Sequence, residues 1–309
     1  MQRVVSDTTR YTWLGQTAAV QLRRAVEADR QALAEFAAPL QARPERHITY
    51  LGIDPSAIAA ELVAEDDDWT AVTAVAEDAG RLVGWLMGSV DAHLGRVWWF
   101  GPFVDADDGA WRDVVDALWR SARGLLPAGV DQEELAPDSR YTLLADWAEA
   151  VGFDADPGSV VLTLEGALPA PTAVIRPLEP GDARAVADLH DLLFPGTHTT
   201  GEALARGADD AHVRLVADVD GSVAGYVAVE RLPDDDGYID FLGVAPGHRR
   251  RGLGGDLVRA GVGALDRLGC RRHHLTVREA ESGARSLYAG LGFQEERTIR
   301  PFRRGFRLP

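Results

Sequence analysis

From Tyr238 to Val244 the chain alternates, with Ile239, Phe241 and Gly243 falling between Tyr238, Asp240 and Leu242, which predicts a β-strand that Pro246 stops. The period then changes. Leu253, Leu257, Val258, Val262 and Leu265 recur at three- and four-residue steps, so a helix with one apolar face is predicted from about Gly252 to Leu268, with Gly269 as its stop. Upstream, Val213–Asp218 and Ser222–Glu230 read as two strands around an Asp220-Gly221 turn. Val174–Arg176 reads as an opening strand, with a first helix after Gly181-Asp182.

The first half repeats this order. Thr70–Ala76 and Arg81–Val90 read as strands around an acidic glycine turn, Val97–Val104 as the next strand, and Trp111–Leu126 as the following helix. Leu22-Arg23 followed by Glu27 and Asp29 echoes Ile175-Arg176 followed by Glu179 and Asp182. Val151-Gly152-Phe153 echoes Leu291-Gly292-Phe293. A tandem duplication follows: an extension over residues 1–19, a first copy over 20–165, a semi-rigid Pro- and Ala-rich connector at Gly166–Thr172, and a second copy over 173–309. After Arg300-Pro301 a turn and a last strand at Gly305–Leu308 are expected, with the nearby arginines in solvent.

Composition agrees with two domains. A chain of 309 residues with 46% hydrophobic residues is long and apolar enough for two cores. The N-terminus M-Q-R-V-V-S-D-T-T-R lacks a signal-peptide core, and no apolar run approaches the roughly 18 to 20 residues that span a bilayer. One cysteine, Cys270, excludes an internal disulfide framework and a thiolate zinc cluster, so no metal is expected; its place beside Gly269 suggests packing. These features predict a cytoplasmic protein without a membrane partner.

Charge is divided unevenly. Phe241–Pro309 carries 14 Arg against 6 Asp and Glu, a net of +8; with −16 overall, the other 240 residues carry −24. Such a segment attracts polyanions, whereas the acidic remainder repels nucleic acid and favours cationic partners. The acidic runs Glu65–Asp68, Asp105–Asp108 and Asp234–Asp236 read as solvated loops. All 32 Lys and Arg positions are Arg, which reflects compositional bias.

The junction Val244–Gly254, V-A-P-G-H-R-R-R-G-L-G, joins the alternating strand to the apolar-faced helix. At a helix start the first N–H groups lack intrahelical partners and the macrodipole is positive; Gly252, Gly254 and Gly255 leave an anion room, and Arg249, Arg250 and Arg251 add charge. A Walker A loop is excluded because the chain has no lysine. A dinucleotide-binding fingerprint is excluded because Leu257 stands where its third glycine belongs.

Arg249, Gly252 and Gly254, with Val244 and Pro246 upstream, match the Arg/Gln-x-x-Gly-x-Gly/Ala signature of the GCN5-related N-acetyltransferases. Downstream, Leu275, Val277, Ala284, Leu287, Tyr288, Gly292 and Phe293 match that family's next segment, so residues from about Val174 to Leu308 resemble it. The resemblance implies an α+β fold of two tandem GNAT-like domains, each a mixed, mainly antiparallel sheet flanked by helices. It also implies an N-acetyltransferase that uses acetyl-CoA as donor, held by Leu242, Gly243, Val244, Arg249, Arg250, Arg251, Gly252, Leu253, Gly254 and Gly255, with Glu281 where the family commonly carries an asparagine that contacts pantetheine. An ionised Glu281 cannot donate a hydrogen bond, which implies weaker or differently arranged donor binding.

For the chemistry, the family's acid corresponds to Tyr288, which would protonate the leaving thiolate, and a backbone N–H near Leu242–Val244 would meet the oxyanion. An amine must lose a proton before attack. Asp240 is the first candidate base, on the Leu242 face by the period-two rule, and Glu230 the second; His273 or His274 could also face the cleft. In the first copy, Asp105–Asp108 would repel a pyrophosphate, Trp111 would fill its place, and Trp147 lies near the Tyr288 equivalent, so this copy is expected to have lost donor binding. The acceptor is expected to be a small-molecule or peptide amine, with a cationic one favoured; the oligomeric state stays open. A narrower alternative is an acetyltransferase similar to mycothiol synthase. A different one is a non-catalytic acyl-CoA-binding regulatory protein.

Overall fold

The computed structural model describes residues 20–65, 68–197, 199–206, 209–232 and 235–305. The extension expected at 1–19 and most of the strand expected at Gly305–Leu308 lie outside them. Among the described residues two compact units are present, residues up to 158 together with those from 299 onward, and residues 159–298.

The first unit runs β1 (Gln21–Arg24), α1 (Arg30–Gln41), α2 (Pro55–Glu65), β2 (Thr73–Asp78), β3 (Arg81–Asp91), β4 (Arg96–Val104), α3 (Asp108–Arg123), β5 (Gln132–Leu135), α4 (Thr142–Ala150) and β6 (Asp154–Ala155). The chain then enters the second unit with β7 (Ser159–Glu165), β8 (Ile175–Pro177), α5 (Ala183–Leu193), α6 (Gly201–Arg206), β9 (His212–Val219), β10 (Ser222–Arg231), β11 (Gly237–Val244), α7 (Leu253–Arg267), β12 (Arg272–Arg278), α8 (Ser282–Gly290) and β13 (Gln294–Ile299). It returns to the first unit for β14 (Phe302–Arg304).

Among the described residues each unit holds a seven-stranded sheet, ordered β1-β2-β3-β4-β5-β14-β6 and β8-β9-β10-β11-β12-β7-β13. Both are mostly antiparallel, and each holds a parallel pair, β4 with β5 and β11 with β12. The expected fold of two GNAT-like domains is therefore present. The repeated opening marks have one geometry: the Arg23 guanidinium grips Asp29 at 2.6 Å and Glu77 on β2 at 2.7 Å, and Arg176 grips Asp182 at 2.6 Å and Asp218 on β9 at 3.0 Å. Val26, not Glu27, holds the place of Glu179, since both donate a backbone N–H to the matching aspartate.

The compact units do not follow the sequence boundaries at 165 and 173. Each copy's last strand lies in the other copy's sheet. On β7, Val160, Leu162 and Leu164 enter the second core, and Leu162 lies opposite Leu275 of β12. β14 pairs with β5 through Phe302 opposite Leu135, and its arginines are half-buried instead of solvated: Arg303 Nε donates to Glu134 at 2.9 Å and Arg304 Nη1 to Glu133 at 3.1 Å. The connector is also fixed, because Asp256 on α7 accepts from Thr172 N (3.1 Å), Thr172 Oγ1 (2.8 Å) and Ala173 N (3.0 Å). Among the described residues no helix is long and apolar enough to cross a membrane.

Candidate active site

In the second unit the junction from β11 to α7 ends in an uncapped helix start. Gly252 is the N-cap with φ +85°, a left-handed conformation that glycine adopts without steric cost, and a Cβ there would meet nothing within 4 Å. The first intrahelical bond runs from Asp256 N to Gly252 O at 3.1 Å, so the N–H groups of Leu253, Gly254 and Gly255 precede the ladder. Arg250 is also left-handed at φ +64°. Arg249, Arg250 and Arg251 are exposed, and Arg249 Nε folds back onto the Val244 carbonyl at 3.1 Å. Leu253 is buried. A methyl on Gly254 would stand 3.3 Å from Leu287 Cδ2, so the first turn of α7 lies close against α8.

The parallel strands β11 and β12 pair only over Gly237–Ile239 and His273–Leu275. Past Ile239 the two strands separate. Tyr288 on α8 is buried in the adjoining core, its ring 5.7 Å from Phe293 and nearly edge-on. Burial pushes its phenol up to about 12. Glu281 is the exposed N-cap of α8.

Asp240 does not share a face with Leu242. Pairing with β10 skips it, Ala228 lying opposite Phe241 and Val229 opposite Ile239, so Asp240 is a bulge residue and the alternation inverts there. Ile239, Leu242 and Val244 consequently pack with the α7 core, whereas Phe241 packs under α5 and α6 with Tyr226 and Ala228. Asp240 belongs with the latter side, since its charge acts on Tyr226, Tyr238 and Arg214. Glu230 lies opposite Tyr238 on β11 and His212 on β9, with His212 Nε2 3.3 Å from its carboxylate. Gly243 has a packing reason of its own. A methyl there would come within 2.5 Å of Tyr226 Cε1, so the tyrosine ring lies flat across the strand.

Several groups of this face escaped the sequence. His190 on α5 is fully buried, 2.7 Å from the Tyr226 hydroxyl through Nδ1 and 3.0 Å from the Thr199 carbonyl through Nε2. The carbonyl can only accept, which fixes the Nε2–H tautomer and leaves Nδ1 to accept from Tyr226. Burial, then the Asp240 and Asp191 charges, push the Tyr226 phenol upward. Tyr238 donates to Thr276 Oγ1 at 3.2 Å and is also raised, first by burial. Arg214 lies on this side of β9, lowered by burial against the opposing pull of Asp240 and Glu230. These residues are 12 to 48 positions apart, and no local motif connects them.

His273 and His274 lie at the closed end of the β11–β12 pair, not in the split. His273 faces Asp266 at 3.1 Å, with burial lowering its pKa, and His274 bonds Asp236 at 2.6 Å. Cys270 is buried in the core, and burial raises its thiol.

The first unit has the same split, since β4 and β5 pair only over Arg96–Trp98 and Gln132–Glu134. Its helix start is closed. Asp107 is the N-cap of α3 and accepts from Ala110 N at 3.0 Å, so it stands where Gly252 does. By the same count Trp111 corresponds to Asp256, and does not occupy the loop; its fully buried ring lies 6.0 Å from Tyr141, with the Arg46 guanidinium 5.7 Å over one ring and 5.5 Å over the other. Beyond β5, Ile48 bridges Pro137 and Thr49 N donates to Ala136 O at 3.0 Å. The bond Phe153 N to Ala148 O matches Phe293 N to Tyr288 O, so the Tyr288 equivalent is Ala148, one residue past Trp147.

The acetyltransferase (GNAT) family model matches residues 183–293. An N-alpha-acetyltransferase of Sulfurisphaera tokodaii is 31% identical over 100 residues, covering 28% of this chain and 60% of its own length. This chain thus spans under two thirds of that relative. Among solved structures, a GCN5-related N-acetyltransferase from Sphaerobacter thermophilus aligns with a TM-score of 0.73 at 20% identity, covering 92% of this chain and 95% of its own. A tandem GNAT protein from the clavulanic acid biosynthesis pathway aligns at 0.64 and 16% identity, covering 94% and 100%. With the glycine-capped helix start and the split sheet, these matches show that residues 183–293 are similar to the acetyltransferase (GNAT) family and that the chain has a tandem GNAT-like fold.

Proposed function

We propose that the second unit moves an acetyl group from acetyl-CoA directly to an amine. The observation that carries this reading is the open start of α7, where three early N–H groups and three exposed arginines surround a glycine cap next to the split between β11 and β12. A pyrophosphate fits such a site through backbone N–H groups and the positive end of the helix. The thioester would lie along Leu242–Val244, its oxygen towards the strand edge where β11 leaves β12. The amine nitrogen forms the C–N bond, the C–S bond breaks, and the sulfur takes the Tyr288 proton. Asp240, or Glu230 beside it, accepts the proton that the ammonium loses. An N-alpha-acetyltransferase among the relatives supports an amine acceptor. In the first unit, the Asp107 cap on the α3 start supports a copy that holds no donor.

Calorimetric titration with acetyl-CoA tests the assignment through Gly252→Asp. Aspartate tolerates left-handed backbone and caps helices well, so the variant should fold. Its carboxylate would face the pyrophosphate, and affinity should fall by about 100-fold, or about 2.7 kcal/mol. Equal affinity would remove the donor site from α7.

A further inference from the structure

Building on the acetyl-transfer reading, we infer that the acceptor is an α-amino acid bound as a zwitterion, its carboxylate by Arg214 and its ammonium by Asp240 and Glu230. On the α5/α6 side of the second sheet, Val216, Tyr226, Ala228 and Phe241 lie in an apolar cluster with Val186, Leu189 and Leu204. The next positions along the same strands change character. Arg214 precedes Val216, Glu230 follows Ala228, and Asp240 precedes Phe241, each half-buried and outside that cluster.

Arg214 is held in a way that suits a ligand. Its Nη1 donates to the Val213 carbonyl at 3.3 Å and the Val229 carbonyl at 3.2 Å, and its buried Nε has no hydrogen-bond partner. Carbonyls orient a guanidinium without neutralising it, so its charge remains for a carboxylate ligand to meet. Asp240 and Glu230 act on Arg214 as charges, so an ammonium on their side and a carboxylate on the guanidinium side would each meet the opposite sign. Position separates the roles. Asp240 is on the bulge where β11 leaves β12, next to the place of the thioester, whereas Arg214 lies two strands away on β9. Because Arg214 reaches to the Val229 carbonyl on β10, opposite Ile239, its guanidinium ends about one strand spacing from β11, within reach of the carboxylate of a short acceptor whose amine lies at the split.

The test measures CoA release by the full chain from acetyl-CoA with the twenty common α-amino acids, their carboxamides and the matching decarboxylated amines. At least one amino acid should exceed both of its analogues by about 100-fold in kcat/KM, the loss expected when a buried charge pair lacks one partner. Arg214→Gln should abolish that preference by raising the amino acid KM, with the acetyl-CoA affinity unchanged, and Arg214→Lys should restore part of it. Carboxamides or amines that match the amino acids overturn the inference, as does a preference that survives in Arg214→Gln. The wild-type panel decides even if a variant fails to fold. Calorimetry with acetyl-CoA separates the two levels: no binding overturns the donor assignment and this inference together, whereas binding with turnover on amines or peptides alone overturns only the acceptor.

Discussion

Helices α3 and α7 follow the same strand in two copies of one fold, yet one start is closed by Asp107 and the other is open at Gly252. An anion site at a helix start needs free N–H groups and room, and a single capping carboxylate removes both. The split next to it has diverged in the same direction. In the first unit Trp111, Tyr141 and Arg46 stack beside it and residues 48 and 49 bond to 136 and 137; in the second, Tyr288 and a row of charged groups adjoin it. One topology therefore supports either a core or a cleft, and a few positions decide which.

The largest expected effect tests the core side of this comparison. Trp111→Ala removes a fully buried indole, and its unfolding free energy by denaturant titration should fall by about 3–5 kcal/mol. Acetyl-CoA affinity should not change, because the donor site is assigned to the other unit. A loss under about 1 kcal/mol would mean that Trp111 lines a cleft, and the two units would be alike after all.

Tyr288→Phe tests the cleft side. Removing the phenol from a general acid should lower kcat by about 100-fold, close to 2.7 kcal/mol, with the acetyl-CoA KM held. The pH dependence has a defined sign. The working form is protonated and burial raises the folded pKa to about 12, so Tyr288 should cause no decline in kcat up to about pH 11. The same shift contributes stability that is fully present below the unfolded value near 10 and is lost as pH rises through about 12. A wild-type kcat that falls with an apparent pKa near 9 and keeps that fall in the Phe variant would assign the acid to another group.

Much of this contrast was legible in the sequence, for identifiable reasons. The strand at 237–244 and the helix at 253–267 carry opposite periods joined by a glycine motif, so element type and place came together. The bulge at Asp240 was hidden because alternation in sequence continues unbroken through it. Exchange of the last strands was hidden for a different reason: an apolar strand such as Ser159–Glu165 does not encode which sheet receives it. Arg303 and Arg304 looked like solvated arginines because Glu134 and Glu133 lie 169 and 171 positions away. Arg214, His190 and Tyr226 were missed similarly, since only strand pairing and the packing of α5 bring them to one face.

Asp107→Ala has the smallest expected effect and isolates the cap. Losing a side-chain N-cap should cost about 1 kcal/mol of unfolding free energy, because the Ala110 N–H then turns to water. The variant should not acquire acetyl-CoA binding. Opening the helix start leaves Asp105 and Asp108 near it, keeps Trp111 and Tyr141 packed beside the split, and supplies nothing equivalent to Arg249–Arg251. If Asp107→Ala did create a second binding event by calorimetry, the cap alone would separate the two units, and the aromatic packing behind it would have no part in the difference.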